Sequence, residues 1–336
     1  VTRHSATRRA FSLRDFLLSY GFLIVMIAVV AIYAVLAPNF LTVTNLMGIL
    51  HAAAPLMIIA SGLAIVVMTG KLDISVGSMA FLSAAIGILL MTQWNVSPLL
   101  ALPVVLVTGA LLGAVNGLIV VGLRVNPLIT TLGTMIAYRG MALQLTNSRA
   151  YSVPETIRWL GNASLGPAFV DSLLGLAVMG IIYVLHTRTP FGRHVMAIGN
   201  GEEVASRLGV RVPRVTFLTF VLSGLLASLG GIVGMLQVGA VSSYLGGGLE
   251  FTAVAVIVIG GISLFGGSGS ILPGLLLGIL TLEIIRNGLN HLGADPYSYR
   301  FVNGGIIFVA MYADSLKAKV RTEVKVTAGD LPAPAG

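Results

Sequence analysis

The chain has 336 residues, 56 % hydrophobic and 10 % charged, with a mean hydropathy of +0.97. Soluble domains carry ~25 % charged residues, so this composition excludes an ordinary soluble protein and indicates an integral membrane one. There is no cysteine, which excludes disulfides, thiolate chemistry and cysteine metal sites. The net charge of +8 is spread thinly along the chain, which argues against nucleic acid as a partner.

In chain order, residues 1–15 form a basic leader with Arg3, Arg8, Arg9 and Arg14. The apolar run behind it is too long for a signal-peptide core and reads as a first membrane span. A bilayer core needs roughly 20 apolar residues per helix. Runs of that order fall at 17–37, 46–69, 74–92, 98–122, 127–146, 168–186, 215–238, 250–266, 269–291 and 298–313. The expected fold class is therefore an all-α integral membrane protein of about ten transmembrane helices, or about eight or nine with re-entrant pieces. Residues 16–315 form a single transmembrane domain, and 316–336 a flexible tail. The outer segment at 147–167 has room for a short interfacial helix.

The basic residues orient this array. With the N-terminus in the cytoplasm, the cytoplasmic segments hold the leader arginines, Lys71, Arg124, five arginines in 187–214, and Lys317, Lys319, Arg321 and Lys325. Only Arg149, Arg158 and Arg300 fall outside, with Arg139 and Arg286 inside spans. Both termini are thus expected in the cytoplasm. So is 187–214, the one long polar stretch, with a helix-like core from Glu202 to Leu208 between Gly201 and Gly209.

Little in the chain resembles catalytic machinery. There is no Gly-x4-Gly-Lys-Ser/Thr loop, and GGSGS at 266–270 has no lysine to reach a phosphate. His4, His51, His186, His194 and His291 lack metal-ligand spacing. No enzyme activity, metal or cofactor is expected of this chain. Asp73 lies between the second and third runs, and two readings stand open. It caps the helix that begins near Ile74, with Ser75 adding a second oxygen, or it acts directly in transport. Lys71 is its nearest sequence partner, and Gly77 and Ser78 suit tight packing. The turn GGISLFGGSGS at 260–270, with Pro273 just beyond, reads as a tight helix hairpin or as part of a broken helix lining a pathway.

Glu283 and Arg286 are spaced to pair on one helix face, and Arg139 to snorkel or bind a carbonyl. Asn116, Asn126, Thr130, Tyr138, Gln144, Gln237, Asn287 and Asn303 are candidates to line a wet translocation path. Each also reads singly as an interhelical hydrogen bond.

Five motifs carry a resemblance. They are LDISVGS at 72–78, TLGTMIAYRG at 131–140, TPFGRHVMAIGNGEEVASRLGV at 189–210, LSGLLASLGGIVG at 222–234 and GGISLFGGSGSILPG at 260–274. In this order the chain, from about 40 to 315, resembles the permease subunits of bacterial ABC monosaccharide importers, the ribose/xylose/galactose branch that includes the furanosyl-autoinducer importers. It departs from the family's glycine-glycine-isoleucine lead into the aspartate, having Gly70-Lys71-Leu72. The resemblance implies a multi-pass protein of the bacterial plasma (inner) membrane that passes a neutral monosaccharide inward, driven by ATP hydrolysis on a separate subunit. It implies three partners: that ATP-binding subunit, a second permease copy or paralogue, and a periplasmic or lipoprotein sugar-binding protein. It also implies a coupling helix docking on the ATPase, built from Gly199, Asn200, Glu202, Glu203, Ala205, Arg207 and Gly209, with small Ala205 letting the helix sit close in the ATPase cleft. A stand-alone secondary sugar transporter is the reading from another class, disfavoured because only Glu283 is an acid clearly inside a span. A furanosyl autoinducer is the alternative substrate.

Overall fold

The computed structural model describes residues 13–295 and positions 301, 304, 305, 308 and 312. Its elements in order are α1 (Leu13–Leu36), α2 (Val43–Met68), α3 (Val76–Thr92), α4 (Pro98–Gly122), α5 (Pro127–Thr146), β1 (Tyr151–Ser152), α6 (Glu155–Arg158), β2 (Ser164–Leu165) and β3 (Ala168–Phe169). There follow α7 (Val170–Arg188), α8 (Pro190–Asn200), α9 (Glu202–Arg207), α10 (Val212–Val238), β4 (Ala240–Val241), α11 (Leu249–Ile259) and α12 (Leu276–His291).

Local chemistry sets many of these boundaries. Prolines 98, 127 and 190 each occupy a first helical turn, where the missing N–H is no loss. Asn126 caps α5 by accepting from the N–H groups of Leu128 and Ile129, at 2.9 and 3.4 Å. Thr189 caps α8 by accepting from Gly192 N–H. Asn147 and Gly239 close α5 and α10 in the left-handed conformation.

Helix α2 is the centre of the bundle. It has no polar face, and most of its residues from Ala53 to Met68 are buried, with α7, α10, α11 and α12 packed around it. The most extensive helix pair is α4 with α10. Their seam is built from glycines. A Cβ on Gly113 would lie 2.2 Å from Phe220 O, and one on Gly224 would lie 2.2 Å from Gly109 O. Only glycine lets these backbones approach so far, the small-residue packing expected between membrane helices.

The two ends of the bundle differ. At one, β1 pairs antiparallel with β4, and α6 supplies a short helix in the expected outer segment. At the other lie α8, α9 and the turns 69–75 and 260–270, which touch: Gly267 N–H donates to Met68 O at 3.0 Å.

Among the described residues, five helical stretches are long and apolar enough to cross a membrane: Val43–Met68, Pro98–Gly122, Val170–Arg188, Val212–Val238 and Ile271–His291. The span expected at 250–266 takes a different form. Helix α11 has 11 residues, ~16 Å of helix against a hydrocarbon core of ~30 Å. The glycines that follow, with Gly261, Gly266, Gly267 and Gly269 at positive φ, turn the chain instead of extending the helix. The leader before residue 13, the expected path residue Asn303 and the tail beyond 312 lie outside the described residues.

Candidate functional site

Three clusters carry the polar chemistry. The first is the short-helix module. Helix α8 turns Val195 and Ile198 into the core, and its end locks onto both neighbouring turns. A Cβ on Gly199 would lie 2.0 Å from Met68 O and 2.3 Å from Gly267 N, and Asn200 Nδ2 donates to Gly267 O at 3.2 Å. Glu202, at the head of α9, meets Lys71 Nζ at 2.9 Å. Lys71 therefore pairs with α9 and not with Asp73, its nearest acid in sequence.

The rest of α9 corrects one expectation. Ala205 is 1 % exposed, so its small side chain seats the helix on this protein's own surface rather than in a partner's cleft. The outward face comprises Val204 and Leu208, 62 % and 77 % exposed, beside an ion pair between Glu203 and Arg207 at 2.6 Å. Gly209, at φ +85, makes the exit turn.

The second cluster surrounds Asp73, which is 0 % exposed. Asp73 Oδ1 accepts from the N–H of Ser75 at 3.1 Å and its hydroxyl at 2.6 Å. Oδ2 accepts from the Ser223 hydroxyl of α10 at 3.0 Å. Asn116 Nδ2 of α4 donates to Ser75 Oγ at 2.8 Å. Tyr138 OH donates to Leu112 O at 3.0 Å and stands 3.4 Å from Asn116 Oδ1. Three expected path residues, Asp73, Asn116 and Tyr138, thus share one network. Its geometry is that of a buried turn tying α3 to α4, α5 and α10, with the aspartate bonding two residues ahead. Nearby, Arg139 binds the carbonyls of Ser243 and Leu245 at 3.2 and 3.4 Å and lies over the Phe81 ring. That fulfils its carbonyl reading.

The other expected path residues separate. Asn126 is the α5 cap, Gln144 lies on the exposed side of α5, and Thr130 is buried.

Gln237 and Asn287 join the third cluster, at the strand end. Pro55 inside α2 has no N–H, so the His51 carbonyl one turn before it lacks its helical donor. Gln237 Nε2 supplies the missing bond at 2.6 Å and also donates to Asp171 Oδ2 at 2.6 Å. His51 Nδ1 stands 2.8 and 3.0 Å from the two Asp171 oxygens. Beside this triad opens a cavity of about 230 Å³, to which α2 contributes Ile49 and Ala52, α10 Gln237, and α12 Glu283, Arg286, Asn287 and Asn290. Glu283 is 4 % exposed, with Arg286 Nη1 3.7 Å from its Oε1. Asn287 and Asn45 exchange amide hydrogen bonds at 3.0 Å.

Sequence reasoning missed Asp171 and the role of His51, which meet across 120 residues. The available signal was Pro55, which announces a carbonyl in need of an outside donor. It missed α8 as well, although Thr189-Pro190 is a helix start and Phe191, Val195 and Ile198 recur on one face.

Comparison with known proteins places these features in one family. Residues 45–311 match the family described as the branched-chain amino acid transport system / permease component. The ribose import permease protein RbsC of Escherichia coli K12 is 34 % identical over 324 residues, covering 94 % of this chain and all of that one. The galactose/methyl galactoside import permease protein MglC of Salmonella typhimurium is 32 % identical, covering 88 % of this chain and 94 % of that one. The ribose import permease of Bacillus subtilis is 33 % identical, with 86 % and 90 % covered. No solved structure matches the chain. The chain is a membrane protein and belongs to the branched-chain amino acid transport system / permease component family.

Proposed function

We propose that this chain is the permease subunit of a bacterial ATP-binding-cassette importer for a neutral monosaccharide. It resides in the plasma (inner) membrane with the α8–α9 end in the cytoplasm, and residues 16–315 act as one transmembrane domain. ATP is hydrolysed on a partner subunit, a binding protein delivers the sugar at the strand end, and a second permease copy or paralogue completes the pathway. The chain itself holds no cofactor and does no covalent chemistry. The relatives that bear ribose and galactose in their names support the substrate class, and the basic residues at the α8–α9 end support the orientation.

The observation that carries this reading is the outward face of α9. Val204 and Leu208 stand exposed on a helix anchored from behind by Ala205 and Glu202. Two large apolar side chains one turn apart, flanked by an ion pair, form a compact docking knob for a protein cleft. A Val204→Asp/Leu208→Asp chain tests it. ATP-dependent uptake of labelled ribose or galactose and co-purification of the ATP-binding subunit should both fall to background, while the helical content of the membrane protein is unchanged. Unaltered ATP-dependent uptake would remove α9 from the mechanism. Uptake by this chain without any ATPase would instead make it a secondary transporter.

A further inference from the structure

The strand-end cavity has a chemistry of its own. We infer that the space between α2, α10 and α12 is the loading station for the transported solute, a neutral polyhydroxylated ring of monosaccharide size; the inference rests on the importer reading above.

Size is the first argument. About 230 Å³ is below the ~300–1,000 Å³ of pockets that take drug-sized ligands, yet far above the ~30 Å³ share of one water. One small ring fits. Charge is the second. Glu283 and Arg286 stand one turn apart on the same wall, 3.7 Å from each other. Their charges offset, so neither an anion nor a cation is favoured. What remains is hydrogen-bonding capacity. Gln237 has both amide hydrogens engaged by His51 and Asp171, so it presents a carbonyl oxygen. Glu283 presents carboxylate oxygens and Arg286 presents N–H donors. A set of acceptors interleaved with donors matches vicinal hydroxyls, each of which both gives and takes a hydrogen bond. Ile49 and Ala52 of α2 provide the apolar wall for the C–H face of a sugar ring.

The same lining offers a branched apolar side chain only Ile49 and Ala52 to pack against. Position completes the case. Gln237 lies one residue from the strand-end terminus of α10, and Asn290 one residue from that of α12. Ala52 is exposed and lies in the first half of α2, so the cavity sits toward the end of the bundle opposite α8 and α9. A solute held there has yet to cross, so the station serves loading and not release.

The lack of cysteine allows a direct test. Ala52→Cys is placed in the full transporter, with its ATP-binding and binding-protein partners, in proteoliposomes. A membrane-impermeant thiol reagent is added from the strand side, with D-ribose, D-galactose or L-leucine as protectant. Thr156→Cys on the same surface, outside the cavity, is the control, and Asn290→Cys replaces Ala52→Cys should that chain fail to assemble. The sugar that the unaltered transporter imports should slow labelling in the cavity and leave Thr156→Cys unaffected. At a concentration ~10 times its dissociation constant the slowing should be about tenfold. Labelling of the cavity cysteine unchanged by an imported sugar overturns the loading station while the importer reading stands. Protection by leucine alone overturns the polyhydroxylated ligand. Import of L-leucine and of neither sugar by the unaltered transporter removes the monosaccharide reading itself, and this inference with it.

Discussion

Helix α10 makes two opposite kinds of contact along its length. Against α4 it offers Gly224 and the carbonyl of Phe220, and the backbones meet with no side chain between them. Near its far end it offers Gln237, and there α2 and α12 stand apart around a polar cavity. The difference follows from what each residue can fill. Glycine removes the spacer and permits close van der Waals contact, which is the main attraction between helices in lipid. Long amides and an ion pair need partners or solvent, and they hold their helices open. One helix thus carries a rigid seam and a hollow.

The largest effect is expected from closing the seam to approach. Gly113→Ala places a methyl 2.2 Å from Phe220 O. Its cost should exceed the ~1–3 kcal/mol of ordinary overpacking, because the obstacle is backbone. Size-exclusion profiles in detergent should show aggregated or missing protein. Next comes Asp73→Ala. It strands the N–H of Ser75 and the hydroxyls of Ser75 and Ser223, at ~1–3 kcal/mol per unsatisfied buried group. A fall in melting temperature, partly restored in Asp73→Asn, would bear this out. Third, Gln237→Leu leaves the His51 carbonyl without its donor and Asp171 Oδ2 with His51 Nδ1 alone, for about 1–3 kcal/mol in total. Faster hydrogen exchange in α2 around Pro55 would report it. The smallest effect sharpens the contrast: Ala52→Leu grows into space, and its stability should stay within ~1 kcal/mol of the parent by thermal melting. A large loss there would mean that the hollow is as tightly packed as the seam.

Much of the α-helical plan is written in local chemistry. The apolar runs mark α2, α4, α7, α10 and α12, and Pro127 after Asn126 marks the start of α5. The α9 module was legible too, since Gly201 and Gly209 bracket it. What was not legible depends on distant partners. Hydrophobicity alone gives a full span at 250–266, whereas α11 stops at Ile259 because the following glycines turn back against the 69–75 region. Lys71 looks like a partner for Asp73 two residues away, yet it reaches Glu202 across 131 residues. Ala205 reads equally well as facing a foreign cleft or this chain, and only packing shows which. Polarity did select Asn116, Tyr138, Gln237 and Asn287, but not their division between a buried turn and a cavity.

The joint where Gly199, Met68 and Gly267 meet has a mechanical meaning. Three backbone strands converge there with no side chain interposed. Side chains yield to a push by changing rotamer, whereas a backbone joint has almost no such compliance. A load on the exposed face of α9 therefore passes through α8 as through a strut. It meets the end of α2 and the turn leading to α12 at one joint, with the Lys71–Glu202 ion pair as a second, longer-armed link beside it.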